Sequence, residues 1–117
     1  MSSSRRGLTY EELEVGARFE TAARAIRAAD VEAFGRLTGD RNPLHDTGGR
    51  EPALVHGLLA AAVGAGLTHE LGVLAGTTVA LVEQRLRFER PVRAGDAVRR
   101  RLEVTARRPA GSRDAGI

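Results

Sequence analysis

The sequence has 117 residues, a length that suits one small domain rather than two. It contains no cysteine, which excludes disulfide bonds and thiolate metal sites, and its net charge of +3 is too small to argue for nucleic-acid binding. Hydrophobic residues make up 42% of the chain, yet no apolar run reaches the roughly 18 residues of a membrane-spanning helix. These features predict a cytoplasmic protein whose core is held by packing alone.

The chain opens with polar residues, and we expect a disordered tail over residues 1–7. We predict that a single domain then occupies residues 8–117. From Gly16 to Ile26, apolar and polar side chains alternate. This period of two predicts a half-buried strand.

A short helix is predicted to follow. Asp30 is a good N-cap residue, and Val31, Phe34 and Leu37 recur every three positions on one helical face. Gly39 suits the left-handed position after a helix, so we expect the helix to end there.

The loop over residues 38–45 places two ionisable side chains on one tight turn. The Asn42-Pro43 pair disfavours helix, because the residue before proline is pushed towards extended geometry. Asp40 and His45 therefore lie close together along the chain. A carboxylate beside an imidazole can hold a water molecule and move its protons near neutral pH.

A long apolar helix is predicted from about Val55 to Leu71. Its residues are apolar on nearly every side, the pattern of a buried helix. Interior glycines such as Gly64 and Gly66 each cost about 1 kcal/mol against alanine, and close approach of a strand layer would offset that cost. Small side chains facing a wrapping sheet are typical of the central helix of a hot-dog fold.

Two further strands are predicted, over residues 77–88 and 97–106, joined by a turn at Gly95-Asp96. We expect these strands to pair antiparallel with each other. A hairpin turn is predicted over residues 109–112.

The loop closely resembles a known signature. Gly-Asp-Arg-Asn-Pro-Leu-His at residues 39–45, Leu-Val-His-Gly-Leu-Leu at 54–59, and Leu-Arg-Phe-Glu-Arg-Pro-Val at 86–92 with Gly95-Asp96 resemble the MaoC-like dehydratases, the (R)-specific enoyl-CoA hydratases. The three blocks occur in the family's order. The resemblance implies an α+β hot-dog fold, an antiparallel sheet wrapped around a long buried central helix.

The resemblance also implies the site. Asp40 and His45 would hold one water against the double bond of a trans-2-enoyl thioester, although the sequence does not say which is the base. The Gly57 N–H would receive the thioester oxygen. Asn42 and His56 are further candidates for substrate binding, although His56 adjoins the helix start and is expected to have a structural role in orienting the loop. No metal ligands at suitable spacing are found, and no cofactor is implied beyond the coenzyme A or acyl carrier protein of the substrate. A homodimer, or a complex with a related hot-dog subunit, is the implied assembly.

Two departures from the family pattern leave alternatives open. The connection between His45 and His56 is about six residues short and lacks a helix that would cover the acyl pocket. The chain also stops soon after residues 109–112, where relatives continue with two strands, so we expect a C-terminally truncated domain. A hot-dog thioesterase and a non-catalytic accessory acyl-binding subunit are therefore the alternative functions. Against the thioesterase, the predicted central helix carries no carboxylate from Gly57 to His69.

Overall fold

The computed structural model describes residues 6–111 and 115–117. The described chain is α+β, with one long helix, one shorter helix and four short strands. In chain order the elements are β1 (Arg18–Glu20), β2 (Arg24–Ala25), α1 (Ala28–Thr38), a 3-10 turn (Pro43–His45), α2 (Gly57–Glu70), β3 (Ala97–Val98) and β4 (Arg101–Glu103).

The four strands form a single antiparallel ribbon in which residues 16–26 run against residues 95–104. β1 pairs with β4 and β2 pairs with β3. Between the two ladders, the Thr21 hydroxyl accepts a hydrogen bond from the Arg100 N–H at 2.8 Å, so a side chain replaces one backbone acceptor. The predicted first strand is thus confirmed in extent, with a break in its middle.

The predicted partner of the 97–106 strand is wrong. We expected it to pair with residues 77–88, but in the described chain it pairs with the N-terminal strand. Residues 79–89 make no backbone hydrogen bond to another described residue. They form an extended segment, residues 78–89, rather than a strand.

Apolar side chains along this extended segment are exposed. Val79 is 93% exposed and Leu81 is 74% exposed, and Val82 and Phe88 are also mostly open to solvent. The predicted strand over residues 77–88 therefore has no buried face, because burial needs a partner layer. No described part of the chain supplies one.

Helix α2 lies where the sequence predicted it. Its buried residues are Leu59, Val63, Leu67 and Thr68, a stripe along one side. The prediction that α2 is buried all round is wrong, because Leu58 is exposed and the extended segment does not cover that side. None of the helices in the described ranges has the length and apolar character needed to cross a membrane.

The core is a small cluster between α2, the start of α1 and the ribbon. Its buried members are all aliphatic. They are Ile26, Val31, Val55, Leu59, Val63 and Leu67.

Helix α1 begins earlier than predicted. Arg27 is its N-cap and Asp30 is the third helical residue, where the carboxylate accepts a hydrogen bond from the Arg27 N–H at 2.9 Å. Val31 faces the core and Phe34 packs against it, but Leu37 is 83% exposed, so the predicted apolar face ends one turn early. The helix ends at Gly39 in the left-handed conformation, as predicted.

The described parts of the two chain ends bear on two predictions, the disordered tail and the C-terminal hairpin. Residues 1–5 of the predicted disordered tail lie outside the described residues, but Gly7 is buried and its N–H donates to the Ala75 carbonyl at 2.6 Å. The tail prediction is therefore wrong for Gly7. At the other end, Arg108 and Ile117 exchange two backbone hydrogen bonds across the predicted hairpin, whose Ser112 lies outside the described residues.

Candidate active site

The end of α1 presents Asp40 to solvent beside the core. Gly39 adopts a φ of 82°, which lets the chain turn sharply away from the helix axis. The Thr38 hydroxyl donates to the Phe34 carbonyl at 2.7 Å and accepts from the Asp40 N–H at 3.2 Å. Asp40 is thus held by its backbone, and its exposed carboxylate accepts a hydrogen bond from the Asn42 N–H at 3.5 Å.

The next residues form the 3-10 turn, and Asn42 caps it. The Asn42 side-chain oxygen accepts a hydrogen bond from the Leu44 N–H at 3.0 Å. Pro43 occupies the first position of the turn, where its missing N–H is not needed. Asn42 therefore shapes the loop in this structure, and its substrate-binding role stays a prediction.

The ring of His45 is fixed by the backbone. Its Nδ1 lies 2.5 Å from the Leu54 carbonyl oxygen. A carbonyl oxygen only accepts, so Nδ1 carries the hydrogen and Nε2 of the neutral ring keeps its lone pair. Nε2 of His45 is therefore ready to accept a proton.

His56 lies against His45 and is buried, with only 3% of its surface exposed. The two imidazole rings are stacked, with centroids 3.7 Å apart and planes 19° apart. His56 Nε2 lies 3.0 Å from the Asp40 carbonyl oxygen and, by the same reasoning, donates to it. Its Nδ1 is buried and has no hydrogen-bond partner among the described residues.

Asp40, His45 and His56 form a compact cluster. One polar side-chain atom from each lies within 4.8 Å of the others. Two hydrogen bonds of about 2.8 Å reach at most roughly 5.6 Å, so one water molecule can bridge the carboxylate and the imidazole. Sequence reasoning missed that His56 completes this cluster, because the contact is non-local.

The cluster also has the residue types of a metal site, which the sequence analysis did not anticipate. However, the stacked rings of His45 and His56 lie nearly parallel. The nitrogen lone pairs lie in the ring planes, so they point side by side rather than towards one shared ion. The geometry suits a bridging water better than a metal bound by both rings.

Gly57 opens α2 directly after His56. Its N–H points out of the first turn and has no acceptor among the residues that the structure describes. The ring of Phe88 lies against it, so closely that a Cβ added at Gly57 would lie 2.8 Å from Cε1 of that ring. The helix N-terminus favours negative charge, which is the property an oxyanion needs.

Two cavities meet at the Asp40–His45 pair. The smaller, of about 560 Å³, also contains Gly57, Phe88 and Arg90 in its wall. The larger, of about 940 Å³, is bounded by α1 and by the connection after His45, including Gly48 and Gly49. Asp40 and His45 line both cavities, so the pair lies between them. The connection over residues 46–56 contains no helix, as the sequence predicted.

The only carboxyl group in the described chain with a clearly shifted pKa lies far along the chain from this site. The Arg6 guanidinium donates a hydrogen bond to Glu12, and the Thr9 N–H and hydroxyl do the same. Together these donors lower the pKa of Glu12 from 4.5 to about 2. They stabilise the carboxylate form at the start of the chain.

Fold and loop together define a class of protein: an α+β hot-dog domain with an Asp/His loop beside the N-terminus of its long helix. The chain belongs to the MaoC-like domain family, whose model matches residues 11–115. Solved relatives with the same architecture confirm the fold class, which the sequence predicted.

Three relatives are informative. The chain is 38% identical over 106 residues to a 3-hydroxybutyryl-CoA dehydratase of Methylorubrum extorquens, covering 85% of this chain and 65% of the relative. It is 37% identical over 107 residues to an (R)-specific enoyl-CoA hydratase of Aeromonas caviae, covering 86% and 78%. The unliganded R-hydratase of Pseudomonas aeruginosa superposes with a TM-score of 0.71 at 33% identity, covering 88% and 68%.

The chain thus spans less than two thirds of the length of the Methylorubrum dehydratase. The predicted site residues are nevertheless brought together: Asp40, His45, His56 and Gly57 all line the smaller cavity. Asn42 lies on the same loop but caps its turn. The catalytic and binding roles of all five stay predictions.

Proposed function

We propose that this chain is a hydro-lyase that interconverts trans-2-enoyl thioesters and (R)-3-hydroxyacyl thioesters. The observation that carries the proposal is the Asp40–His45 pair, with the Nε2 lone pair of His45 left available, in a cavity that also contains the Gly57 N–H. Such a set can activate water and receive negative charge at once.

In the hydration direction, Asp40 and His45 hold one water molecule. Its oxygen forms a bond to C3 of the enoyl group, and the π electrons of the C2–C3 double bond move towards the thioester oxygen. The proton taken from the water is returned to C2 as the carbonyl re-forms. The net change is one hydroxyl on C3 and one hydrogen on C2, and dehydration is the same path reversed.

Gly57 is the proposed partner of the thioester oxygen. Its N–H lies at the positive end of the α2 dipole and is not used within the described chain. Charge on the oxygen grows as C3 is attacked, so this contact strengthens in the transition state. That is the kind of interaction that raises kcat.

The remaining parts of the proposal are less specific. Arg90, in the wall of the same cavity, is a candidate partner for the phosphates of the thioester carrier. The carrier, coenzyme A or an acyl carrier protein, is part of the substrate, and no separate cofactor is proposed. The cytoplasmic location stays a prediction.

We propose a second copy of the chain as the partner, as the sequence predicted. The exposed apolar side chains of the extended segment support it, because they lie on unpaired backbone that can add to another strand. A Leu81→Arg variant should then shift the sedimentation profile towards monomer. An unchanged profile would place any interface elsewhere.

The test of activity is an assay on crotonyl-CoA. We expect loss of the conjugated enoyl-thioester absorbance, formation of (R)-3-hydroxybutyryl-CoA on chiral analysis, and no free thiol. Release of free thiol would instead support a thioesterase. Neither change, with crotonyl-CoA or a longer enoyl-CoA, would support the accessory acyl-binding subunit.

A further inference from the structure

His56 is a buried polar residue at the start of a helix, but capping that helix does not explain why the residue is a histidine. It is the N-cap residue of α2, yet its side chain makes no capping hydrogen bond. Only 3% of its surface is exposed. Serine, threonine, asparagine or aspartate would cap the helix better.

The hydrogen bonds of His56 point instead to Asp40. Its Nε2–H donates to the Asp40 carbonyl at 3.0 Å, across 16 positions of the chain. The price of this arrangement is a buried Nδ1 without a partner among the described residues. A buried nitrogen left unpaired is destabilising, so a role in packing alone would be served better by an apolar side chain.

The face of the His56 ring supports His45. The rings are stacked with centroids 3.7 Å apart, so His56 covers one face of the His45 ring, while the Leu54 carbonyl fixes its Nδ1. Phe34 lies against the His56 ring at 4.8 Å and holds it in turn. His56 therefore contacts both members of the Asp40–His45 pair.

Helix α1 leaves room for this contact. Gly35 is buried, and a Cβ added there would lie 3.2 Å from the Asp40 carbonyl oxygen and 4.0 Å from His56 Nε2. The helix backbone thus approaches the hydrogen bond so closely that a side chain at this position would displace its neighbour slightly.

We infer that His56 is a positioning residue for the Asp40–His45 pair. It fixes the backbone of Asp40 through Nε2–H and the ring plane of His45 through stacking, so it sets the distance that one water must bridge. It acts on the chemical step without contacting substrate. This inference rests on the proposed hydratase function. It gives the loop-orienting role expected of His56 a purpose in the chemical step, in place of the substrate binding for which His56 was also a candidate.

Three substitutions separate the two contacts. His56→Gln keeps an amide N–H near the Nε2 position but loses the ring, His56→Phe keeps the ring but loses the donor, and His56→Leu loses both. Steady-state kinetics on crotonyl-CoA and thermal unfolding are measured for each. We expect His56→Leu to lower kcat about 10–100-fold with KM within about twofold, and His56→Gln and His56→Phe to fall between it and the wild type.

Other kinetic outcomes would overturn the inference. They are a kcat within twofold of wild type in His56→Leu, a loss that appears only in KM, or a kcat that is the same in all three variants. If His56→Leu does not fold, the other two variants decide the question. The inference then requires that both lower kcat while KM stays within about twofold of wild type.

A measurement on the unmodified chain is independent of folding defects. Nitrogen-15 NMR of the histidine rings should show the Nε2–H tautomer for His56 and the Nδ1–H tautomer for His45. The opposite tautomer at His56 would overturn the inference. A wild-type chain with both expected tautomers but no hydration of any enoyl thioester would count against the proposed function alone.

Discussion

The Asp40–His56 region and the extended segment over residues 78–89 differ in the contacts that hold them in place. In the first, backbone carbonyls hold two imidazole rings and a helix terminus in one place. In the second, large apolar side chains are exposed, and the backbone of residues 79–89 makes no hydrogen bond to another described residue. The first region is therefore fixed by contacts within the chain. The second has the alternating sequence of a strand, but no described strand pairs with it.

The largest expected effect lies in the first region. Asp40→Asn and His45→Gln should each lower kcat by about 10²–10⁴-fold, the size of a general acid–base contribution. Asp40 is exposed, so its variant should unfold at nearly the wild-type temperature. Steady-state kinetics on crotonyl-CoA measure kcat, and thermal unfolding followed by circular dichroism is the folding control. Near-normal turnover in either variant would remove that residue from the mechanism.

Paired leucine truncations compare the two regions directly. Leu59 is 8% exposed and Leu81 is 74% exposed. Leu59→Ala should lower the free energy of unfolding by about 2–5 kcal/mol, and Leu81→Ala by less than about 0.5 kcal/mol. Denaturant titration at low protein concentration limits the contribution of self-association. Equal losses in the two variants would mean that the extended segment is packed within the chain.

Gly57 tests whether one backbone N–H matters. Gly57→Pro and Gly57→Ala both add a Cβ against Phe88, but only proline removes the N–H. The His56 backbone, at φ −57° and ψ 133°, already has the geometry required before proline. We expect Gly57→Pro to be about 10²-fold slower than Gly57→Ala. Similar turnover in two folded variants would exclude the oxyanion role.

These predictions mark how far the sequence alone could go. Gly39, Gly95-Asp96 and the start of α2 near Gly57 were predictable, because turn and helix signals are local. The contact of His56 with Asp40 was not, since residues 16 positions apart carry no periodic signal. The partner of the 97–106 strand was not predictable either, because two strands offered the same alternating pattern and only the tertiary fold chooses between them.

A smaller effect is expected at Gly35. Gly35→Ala gains helix propensity of up to about 1 kcal/mol, but its methyl group presses on the Asp40 carbonyl. We expect stability close to wild type and kcat lowered severalfold. Gly66→Ala is the matched control: it gains the same propensity in open space and should leave kcat unchanged. Equal turnover in the two variants would contradict this prediction. It would mean that the Asp40 loop accommodates the added methyl group without loss of activity.

The smallest effect concerns Glu12. Its pKa is lowered to about 2 in the fold, so the native state binds this proton more weakly than the unfolded chain does. The carboxylate therefore stabilises the fold above about pH 4.5, and this contribution is lost as the pH falls towards 2. Glu12→Gln should be slightly less stable than wild type at pH 7. The difference, measured by thermal unfolding, should narrow between those two pH values.

The hydrogen bonds of the two imidazoles have a consequence for anyone redesigning the site. The acceptors are the main-chain oxygens of Asp40 and Leu54, and every amino acid carries such an oxygen. No side-chain replacement at residues 40 or 54 deletes them. The path of the backbone therefore decides which nitrogen of each ring carries the hydrogen. Only a change of that path, or of the rings themselves, would alter it.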